Sequence, residues 1–502
     1  MAKSANQAKS RFLEVERKFD VVADTVAPSF AGLTTVARVE RSLTQQLDAV
    51  YFDTPARDLA AHRMTLRRRT GGPDEGWHLK LPAGPDSRTE VREPLGAPDG
   101  ADTVPDALRD IVLAIVRDHP LEPVARISTR RTVDLLYGHD GQPLAEFCDD
   151  DVTASASGHE AEEQRWREWE LELAEGAPRE MLDRLTNRLL DAGAAPAGHG
   201  SKLARVLDAA TGAPPPPAEP SADPVHRAIA EQVGELVEWD RAVRTDTYDS
   251  VHQMRVTTRK IRSLLQASEG AFGITDEWIL DELRQLAAVL GVARDAEVLA
   301  ERYEKALDEL PKDVVRGPVR ERLVEGAKRR YTTGWRRSLL AMRSQRYFRL
   351  LDALEALVAT EPPAAAPGEE PAELTIDSAY KRVRKAAKAA RAAAKDPELD
   401  SDESNEALHR IRKRAKALRY TAAATGDSKV ADRAKVIQTL LGDHQDSVVS
   451  RTHLSRQAEV AHTAGEDTFT YGLLYQLEDD LAARCEEQIE DALKALDKSV
   501  KS

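Results

Sequence analysis

Residues 11–20, Arg-Phe-Leu-Glu-Val-Glu-Arg-Lys-Phe-Asp, constrain the fold more than any other stretch of the chain. Successive side chains of a β-strand point to opposite faces. A strand here therefore sets Glu14, Glu16 and Lys18 on one face and Leu13, Val15 and Phe19 on the other. Two carboxylates and an ammonium on one face do not build an apolar core, but they could line a wet cavity. The alternation recurs along the N-terminal half. Arg67 and Arg69 share a face, Lys80 follows Trp77-His78-Leu79, and Glu90 and Arg92 flank Val91. Arg126, Ser128 and Arg130 alternate with Ala125, Ile127 and Thr129, and Asp149 and Asp151 lie near Phe147. Glu168, Glu170 and Glu172 alternate with Trp169, Leu171 and Leu173, and Lys202 follows Gly200-Ser201. A solvated face of an antiparallel sheet explains any one such strand. It explains the set less well, because the basic and the acidic strands are each nearly pure. Closing the sheet into a barrel would turn these faces toward a polar lumen. Arg and Lys would grip a polyanion there, and carboxylates would hold one or two divalent cations.

A chain of 502 residues is too long for one ordinary core. Residues 1–10 read as a flexible tail, and the alternating pattern runs over 11–208. Residues 209–222 include Pro214-Pro215-Pro216-Pro217 and read as a semi-rigid linker. Residues 223–500 have helical spacing in two blocks, about 223–360 and 373–500, separated by a Pro/Ala/Glu-rich stretch at 361–372. A further, acidic break falls at Lys395–Glu406. The chain expected is thus α+β with two domains. Two cysteines, Cys148 and Cys485, make neither a disulfide framework nor a zinc cluster and suit a reducing cytoplasm. The first ten residues lack the apolar core of a signal peptide, and no run is long enough to cross a membrane. A net charge of −14 argues against indiscriminate nucleic-acid binding.

Polyanion and carboxylates together are what phosphoryl transfer requires, since positioning and charge neutralisation carry the rate. All-oxygen ligands suit Mg²⁺ or Mn²⁺ rather than zinc. No Walker A motif is present, so this is not a P-loop enzyme. Glu14-Val15-Glu16-Arg17-Lys18 matches an ExExK signature, and residues 11–208 resemble the CYTH, or triphosphate tunnel metalloenzyme, family. Tyr51-Phe52-Asp53-Thr54-Pro55, Leu66-Arg67-Arg68-Arg69, Leu79-Lys80, the Glu168-x-Glu170-x-Glu172 strand and Ser201-Lys202 are similar to it as well. The resemblance implies an eight-stranded antiparallel β-barrel tunnel that hydrolyses tripolyphosphate or thiamine triphosphate, with adenylate cyclases among its members. It implies that Lys18, Arg67, Arg69, Lys80, Arg126, Arg130 and Lys202 grip phosphate, with Arg131 replacing Arg130 if the register slips. It assigns metal to Glu14, Glu16, Glu168, Glu170 and Glu172, and adds Glu90 and Asp149 as tunnel carboxylates. His62, His78 and His139 read as surface or satisfied histidines, and Arg17 and Arg68 as facing away from Lys18 and Arg67.

In the helical half, residues 251–262 and 408–419 superpose on a shift of 157 (409 − 252). His252 falls on His409, Arg255 on Arg412, Arg259 on Lys416 and Arg262 on Arg419. These positions form one narrow stripe of a helix, with apolar residues opposite. Leu290-Gly291 before Asp295 is echoed by Leu441-Gly442 before Asp446, so a duplicated helical bundle is the simplest account. Facing stripes would make a basic pocket suited to phosphate oxygens. Aromatic residues near them are few, which disfavours stacked bases and hence nucleic acid. This half resembles the CHAD domain, which implies polyphosphate binding by His252, Arg255, Arg259, Arg262, His409, Arg412, Lys413, Lys416 and Arg419. Lys260 and Arg410 lie off the stripe, and Arg343, Arg346, Lys381 and Arg384 could add from other helices. The expectation is a cytoplasmic triphosphatase, associated with polyphosphate granules, that acts on inorganic tripolyphosphate and binds polyphosphate with no nucleic-acid or membrane partner. An adenylate cyclase, a thiamine-triphosphatase and a non-catalytic polyphosphate scaffold are the alternatives, and the oligomeric state is left open.

Overall fold

The computed structural model describes residues 11–96, 103–157, 162–211, 221, 223–267, 277–360, 375–393 and 401–501. It forms two compact units: the N-terminal half with Asp240–Thr247, and Ser221–Trp239 with Tyr248–Ser502. The expected tail at 1–10, the break at 361–372 and most of the linker lie outside the described residues. Residues 209–211 depart from the linker reading, because the helix Lys202–Thr211 runs through them. Likewise 401–406 continue a helix rather than break one.

The first unit is a closed barrel. Its strands are β1 (Arg11–Val21), β2 (Arg38–Arg41), β3 (Gln45–Asp53), β4 (Thr65–Thr70), β5 (Gly76–Gly84), β6 (Ser87–Glu93), β7 (Glu122–Tyr137), β8 (Pro143–Ala156), β9 (Gln164–Leu173) and β10 (Ala195–Pro196). Eight of them close the ring in the order β1-β6-β5-β4-β3-β7-β8-β9 and back to β1, while β2 and β10 hang on its side. All pairings are antiparallel, with Lys18 opposite Glu170 and Arg67 opposite His78. Among the described residues, four helices accompany it: α1 (Asp58–Ala61), α2 (Asp106–Val116), α3 (Glu180–Asp191) and α4 (Lys202–Thr211).

The hydrophobic faces point outward here. Phe19, Phe147, Trp169 and Leu171 on the barrel wall pack against Met181, Leu182, Leu185 and Leu189 of α3. Phe52 and Trp77 pack in a tilted pair with ring centroids 5.0 Å apart. One end of the lumen is apolar: Ala49, Tyr51, Ala125, Ile127, Val152 and Ala154 pack against Leu203, Val206 and Leu207 of α4. That helix closes this end. The remaining lumen is polar, as the charge alternation requires.

The second unit is helical: α5 (Pro224–Arg244), α6 (Ser250–Ala267), α7 (Glu277–Glu309), α8 (Gly326–Ala341), α9 (Gln345–Ala359), α10 (Ile376–Ala393), α11 (Ser401–Ala424), α12 (Ser428–Thr463) and α13 (Phe469–Val500). The apolar sides of α10–α13 share a core that includes Val383, Ile411, Leu418, Ile437 and Leu496. The first helical block joins the second through Tyr303, Leu307 and Leu323 against Leu454, Tyr471 and Leu474. Arg302 reinforces that seam by pairing with Glu478 and donating to Ser447 Oγ. No helix among the described residues is long and apolar enough to cross a membrane.

Candidate functional site

The barrel lumen is a cavity of about 310 Å³ whose lining includes Glu14, Glu16, Lys18, Arg67, Arg69, Lys80, Glu90, Glu170, Glu172 and Lys202. Its charges pair across strands. Lys80 Nζ lies 2.6 Å from Glu14, and Lys18 Nζ lies 2.7 Å from Glu16 and 2.6 Å from Glu170. Lys202, the first residue of α4, reaches Asp150 at 2.8 Å, Glu168 at 2.7 Å and Glu170 at 2.8 Å. Arg131 pairs with Asp150 at 2.6 Å and Glu170 at 2.5 Å. Glu90 meets His78 at 2.8 Å, Lys80 at 3.9 Å, Arg67 at 4.0 Å and, closely, Arg92. Arg67 donates to the Tyr51 hydroxyl at 3.4 Å.

Asp53 of the Tyr-Phe-Asp-Thr-Pro segment has a purely local task. Its carboxylate accepts from the backbone N–H of Thr54, Leu59 and Ala60 and holds the turn into α1. That turn fixes the end of β3 beside Tyr51.

Burial raises a carboxylate pKa and neighbouring cations lower it. At Glu16, Lys18 and Lys80 outweigh burial and hold the pKa at about 2. Glu170 is likewise held far below the usual range by Lys18, Lys202 and Arg131 despite its burial. Glu172 goes the other way, to about 7, because it is buried with Glu14, Glu16 and Glu146 close by and too little cation to match. Arg69 falls to about 9, pushed down by burial and by Arg67 and Arg131.

Two carboxylate groupings can be tested as cation sites. Asp150, Glu168 and Glu170 offer oxygens within 4.8 Å of one another. The Lys202 ammonium already sits among them. Around Glu172 the carboxylates outnumber the cations, and its raised pKa records the deficit. A divalent cation beside Glu14, Glu16 and Glu172 would relieve it, so the donor set fits a hard, oxygen-liking metal.

Three expected tunnel residues lie elsewhere. Arg126 and Arg130 are exposed on the outer face of β7, where Arg130 pairs with Asp151. Asp149 also faces outward, bound to Arg167 at 2.7 Å and accepting from Trp169 Nε1 at 3.1 Å. Arg131 and Asp150 take the inward places. The reason is physical: the lumen-facing partners of these residues are Ile127, Ala125, Val152 and Ala154, which are apolar because α4 packs on them. Reading the charged face of β7 as the inner one therefore inverted the strand. The runs Arg130-Arg131 and Asp149-Asp150-Asp151 put charge on both faces, so charge alone could not fix the register. Arg92, which alternates with Glu90, lines the cavity too, and Asp74 and Glu146 also line it and were missed; they come from a turn and from near the start of a strand, where alternation gives no signal. Arg17 faces away from the lumen as expected, pairing with Asp86 and Asp183.

In the helical unit the two histidine stripes come together. Arg259 is lowered by burial and by Arg255, Arg262 and Arg412, so side chains of α6 and α11 are within electrostatic reach. Lys416 falls to about 7, through burial and the charges of Arg259, Arg412, Arg419 and Arg255. His252 and His409 are each lowered, by burial first and then by Arg294 and by Lys413 respectively. Both present a buried Nδ1 without a hydrogen-bond partner. Arg419 donates to Gln438 Oε1 at 3.0 Å, and Lys413 is exposed at the margin.

The Leu-Gly echo has a structural cause. A Cβ at Gly291 would lie 3.4 Å from Arg255 Nε, and one at Gly442 would lie 3.2 Å from Arg412 Nη2. Each guanidinium thus rests on the neighbouring helix at a residue without a side chain. Lys381 and Arg384 line a separate cleft between α10 and α13, and Arg346 pairs with Glu282 at 2.6 Å.

Residues 13–199 match the CYTH domain family and residues 227–455 the CHAD domain family. An uncharacterized protein of Mycobacterium tuberculosis is 66% identical over 98% of both chains. The chain is a CYTH–CHAD protein. Among solved structures, PptA from Streptomyces chartreusis is 19% identical and covers 57% of this chain and 100% of its own, with a TM-score of 0.43. The CHAD domain of the plant Ricinus communis is 20% identical and covers 56% of this chain and 93% of its own, with a TM-score of 0.41. The CYTH barrel and the CHAD helices are thus the domains in which the two charged sites lie, and the CYTH family is metal-dependent.

Proposed function

We propose that the CYTH tunnel hydrolyses a terminal phosphoanhydride of inorganic tripolyphosphate and that the CHAD stripes bind polyphosphate. The observation that carries the reading is the tunnel itself: a 310 Å³ lumen lined by Arg67, Arg69, Arg131, Lys18, Lys80 and Lys202 together with Glu14, Glu16, Glu90, Glu170 and Glu172. Such a lumen suits a small polyanion. The guanidinium groups suit equatorial phosphate oxygens, and the lysines follow charge as it moves to the leaving group. Substrate would have to displace the present Lys–Glu and Arg–Asp pairs, so each cation trades a carboxylate for a phosphate. Glu14, Glu16 and Glu172, joined by Glu168 and Glu170, would hold Mg²⁺ or Mn²⁺, which supplies charge neutralisation and an oriented water. In the CHAD domain, Arg255, Arg259, Arg262, Arg412, Lys416 and Arg419 would take successive phosphates, with His252 and His409 donating at the stripe ends.

The deciding measurement is phosphate release by the full chain from tripolyphosphate, with Mg²⁺, with Mn²⁺ and with chelator. ATP, thiamine triphosphate and long-chain polyphosphate run in parallel. Metal-dependent release that is fastest from tripolyphosphate is the expected result. Cyclic AMP formed from ATP would replace it with a cyclase, and no release from any substrate by folded, polyphosphate-binding protein would leave a scaffold.

A further inference from the structure

The turn between β4 and β5, Thr70-Gly71-Gly72-Pro73-Asp74-Glu75-Gly76, packs on Gln46 and Leu47 at the start of β3, whereas α4 packs further along it on Ala49 and Tyr51. Its glycines let it fold that closely. Gly71 and Gly72 have φ of +79° and +80°, and a Cβ would stand 2.2 Å from the Gln46 carbonyl oxygen or 2.7 Å from Leu47 Cδ2. Pro73 and Asp74 both line the cavity. The Asp74 carboxylate is ion-paired with Arg69, which is buried. His78 anchors the turn from below: one ring nitrogen lies 2.9 Å from the Asp74 carbonyl oxygen and the other 2.8 Å from Glu90 Oε1. His78 is only 1% exposed, so this bridge is shielded from water.

We propose that Asp74 determines which chain length the tunnel accepts, by holding a carboxylate over Arg69 where a further phosphate of a longer chain would have to pass. The proposal rests on the tripolyphosphate reading above. With α4 closing the far end, a chain longer than the lumen can leave only past this turn. Asp74 therefore meets the extra phosphates with like charge and occupies the cation they would need. Selectivity arises by rejecting the wrong ligand as much as by holding the right one. A short chain is spared, because Arg67, Arg131 and the lysines also line the lumen and Asp74 pairs with none of them but with Arg69.

The test is kcat/KM of the full chain for tripolyphosphate and for long-chain polyphosphate, compared across wild type, Asp74→Asn and Asp74→Ala. The long-to-short ratio should rise by about tenfold or more in both variants. His78→Asn, which loosens the turn but leaves the Asp74 carboxylate in place, should move the ratio the same way by less. An unchanged ratio, whether absolute rates rise, fall or stay, would overturn the proposal and leave Asp74 as a structural partner of Arg69. If the Asp74 variants do not fold, His78→Asn alone decides by the same criterion. A wild type that hydrolyses neither substrate refutes the tripolyphosphate reading instead. Calorimetric binding of the two chains in an Arg255→Ala/Arg412→Ala background, with and without Asp74→Asn, then reads the same selectivity.

Discussion

Lys202 concentrates the electrostatics of the tunnel in one atom. Its ammonium neutralises three carboxylates at 2.7–2.8 Å, and its own pKa stands well above the ordinary value despite burial. Removing one partner of a buried ion network leaves uncompensated charge and costs about 3–5 kcal/mol. Lys202→Met should therefore lower the midpoint of thermal unfolding in chelator, and Mn²⁺ should recover more of that loss than it adds to the wild type. Equal Mn²⁺ shifts in both proteins would show that Asp150, Glu168 and Glu170 do not take a metal in place of the ammonium. Lys416 is the opposite case, a cation among cations. Titrating near 7 when folded and near 10.5 when unfolded, it makes the unfolded chain bind the extra proton between those values. Stability of the helical unit should therefore rise with pH from about 7 toward 10.5. Polyphosphate affinity should fall as pH rises through 7, because the neutral amine no longer attracts the anion. Lys416→Met should flatten both trends in denaturation and binding series, and His252 and His409 add the same sign at lower pH.

The strand and the helix each set a rule that a neighbouring element can override. On β1 the inner face is charged from Glu14 through Lys18, and on β9 it is charged from Glu168 through Glu172 but carries Trp166 beside α4. On β7 and β8 it changes from charged to apolar where α4 enters. The outer wall carries the core, with Trp169 0% exposed and its ring centroid 5.4 Å from that of Phe147. Trp169→Ala should cost about 3–5 kcal/mol in denaturant unfolding of the barrel. On α12 the glycine makes a sharper test. Gly442→Ala should gain up to about 1 kcal/mol of helix propensity while pushing the Arg412 guanidinium off its seat. The thermal midpoint should hold or rise as polyphosphate affinity drops several-fold; affinity that stays level would mean the glycine does not place Arg412.

Across the whole molecule, two clusters of basic side chains sit on a chain of net charge −14. Basic side chains are concentrated in the barrel interior and on the facing helix stripes, while the net negative charge of the chain disfavours indiscriminate recruitment of polyanions. Glu14→Gln with Glu16→Gln should abolish phosphate release and leave polyphosphate binding intact. Arg255→Ala with Arg412→Ala should do the reverse. Parallel turnover and filter-binding assays check both, and one variant pair that destroys both activities in folded protein would rule out two separate sites.

The fold class was written in local periodicity. Alternation of charge marked the barrel strands, and the shift of 157 residues marked the duplicated helices. Lys202 reaches the lumen from the first residue of α4, but the inward places of Glu14, Glu16, Lys18, Arg67, Arg69, Lys80 and Glu90 followed from the same period, as did the histidine stripes. Both depend only on the geometry of a single strand or helix, which a sequence contains. Which of Arg130 and Arg131, or of Asp149 and Asp150, faces the lumen depended on α4, a helix about 50 residues downstream of Asp150. The Asp74–Arg69 pair depended on a turn folding over a barrel end. The seats of Arg255 and Arg412 depended on glycines of other helices. Each of these was decided by a contact between elements distant in the chain, because register and occupancy are properties of the neighbour and not of the residue itself.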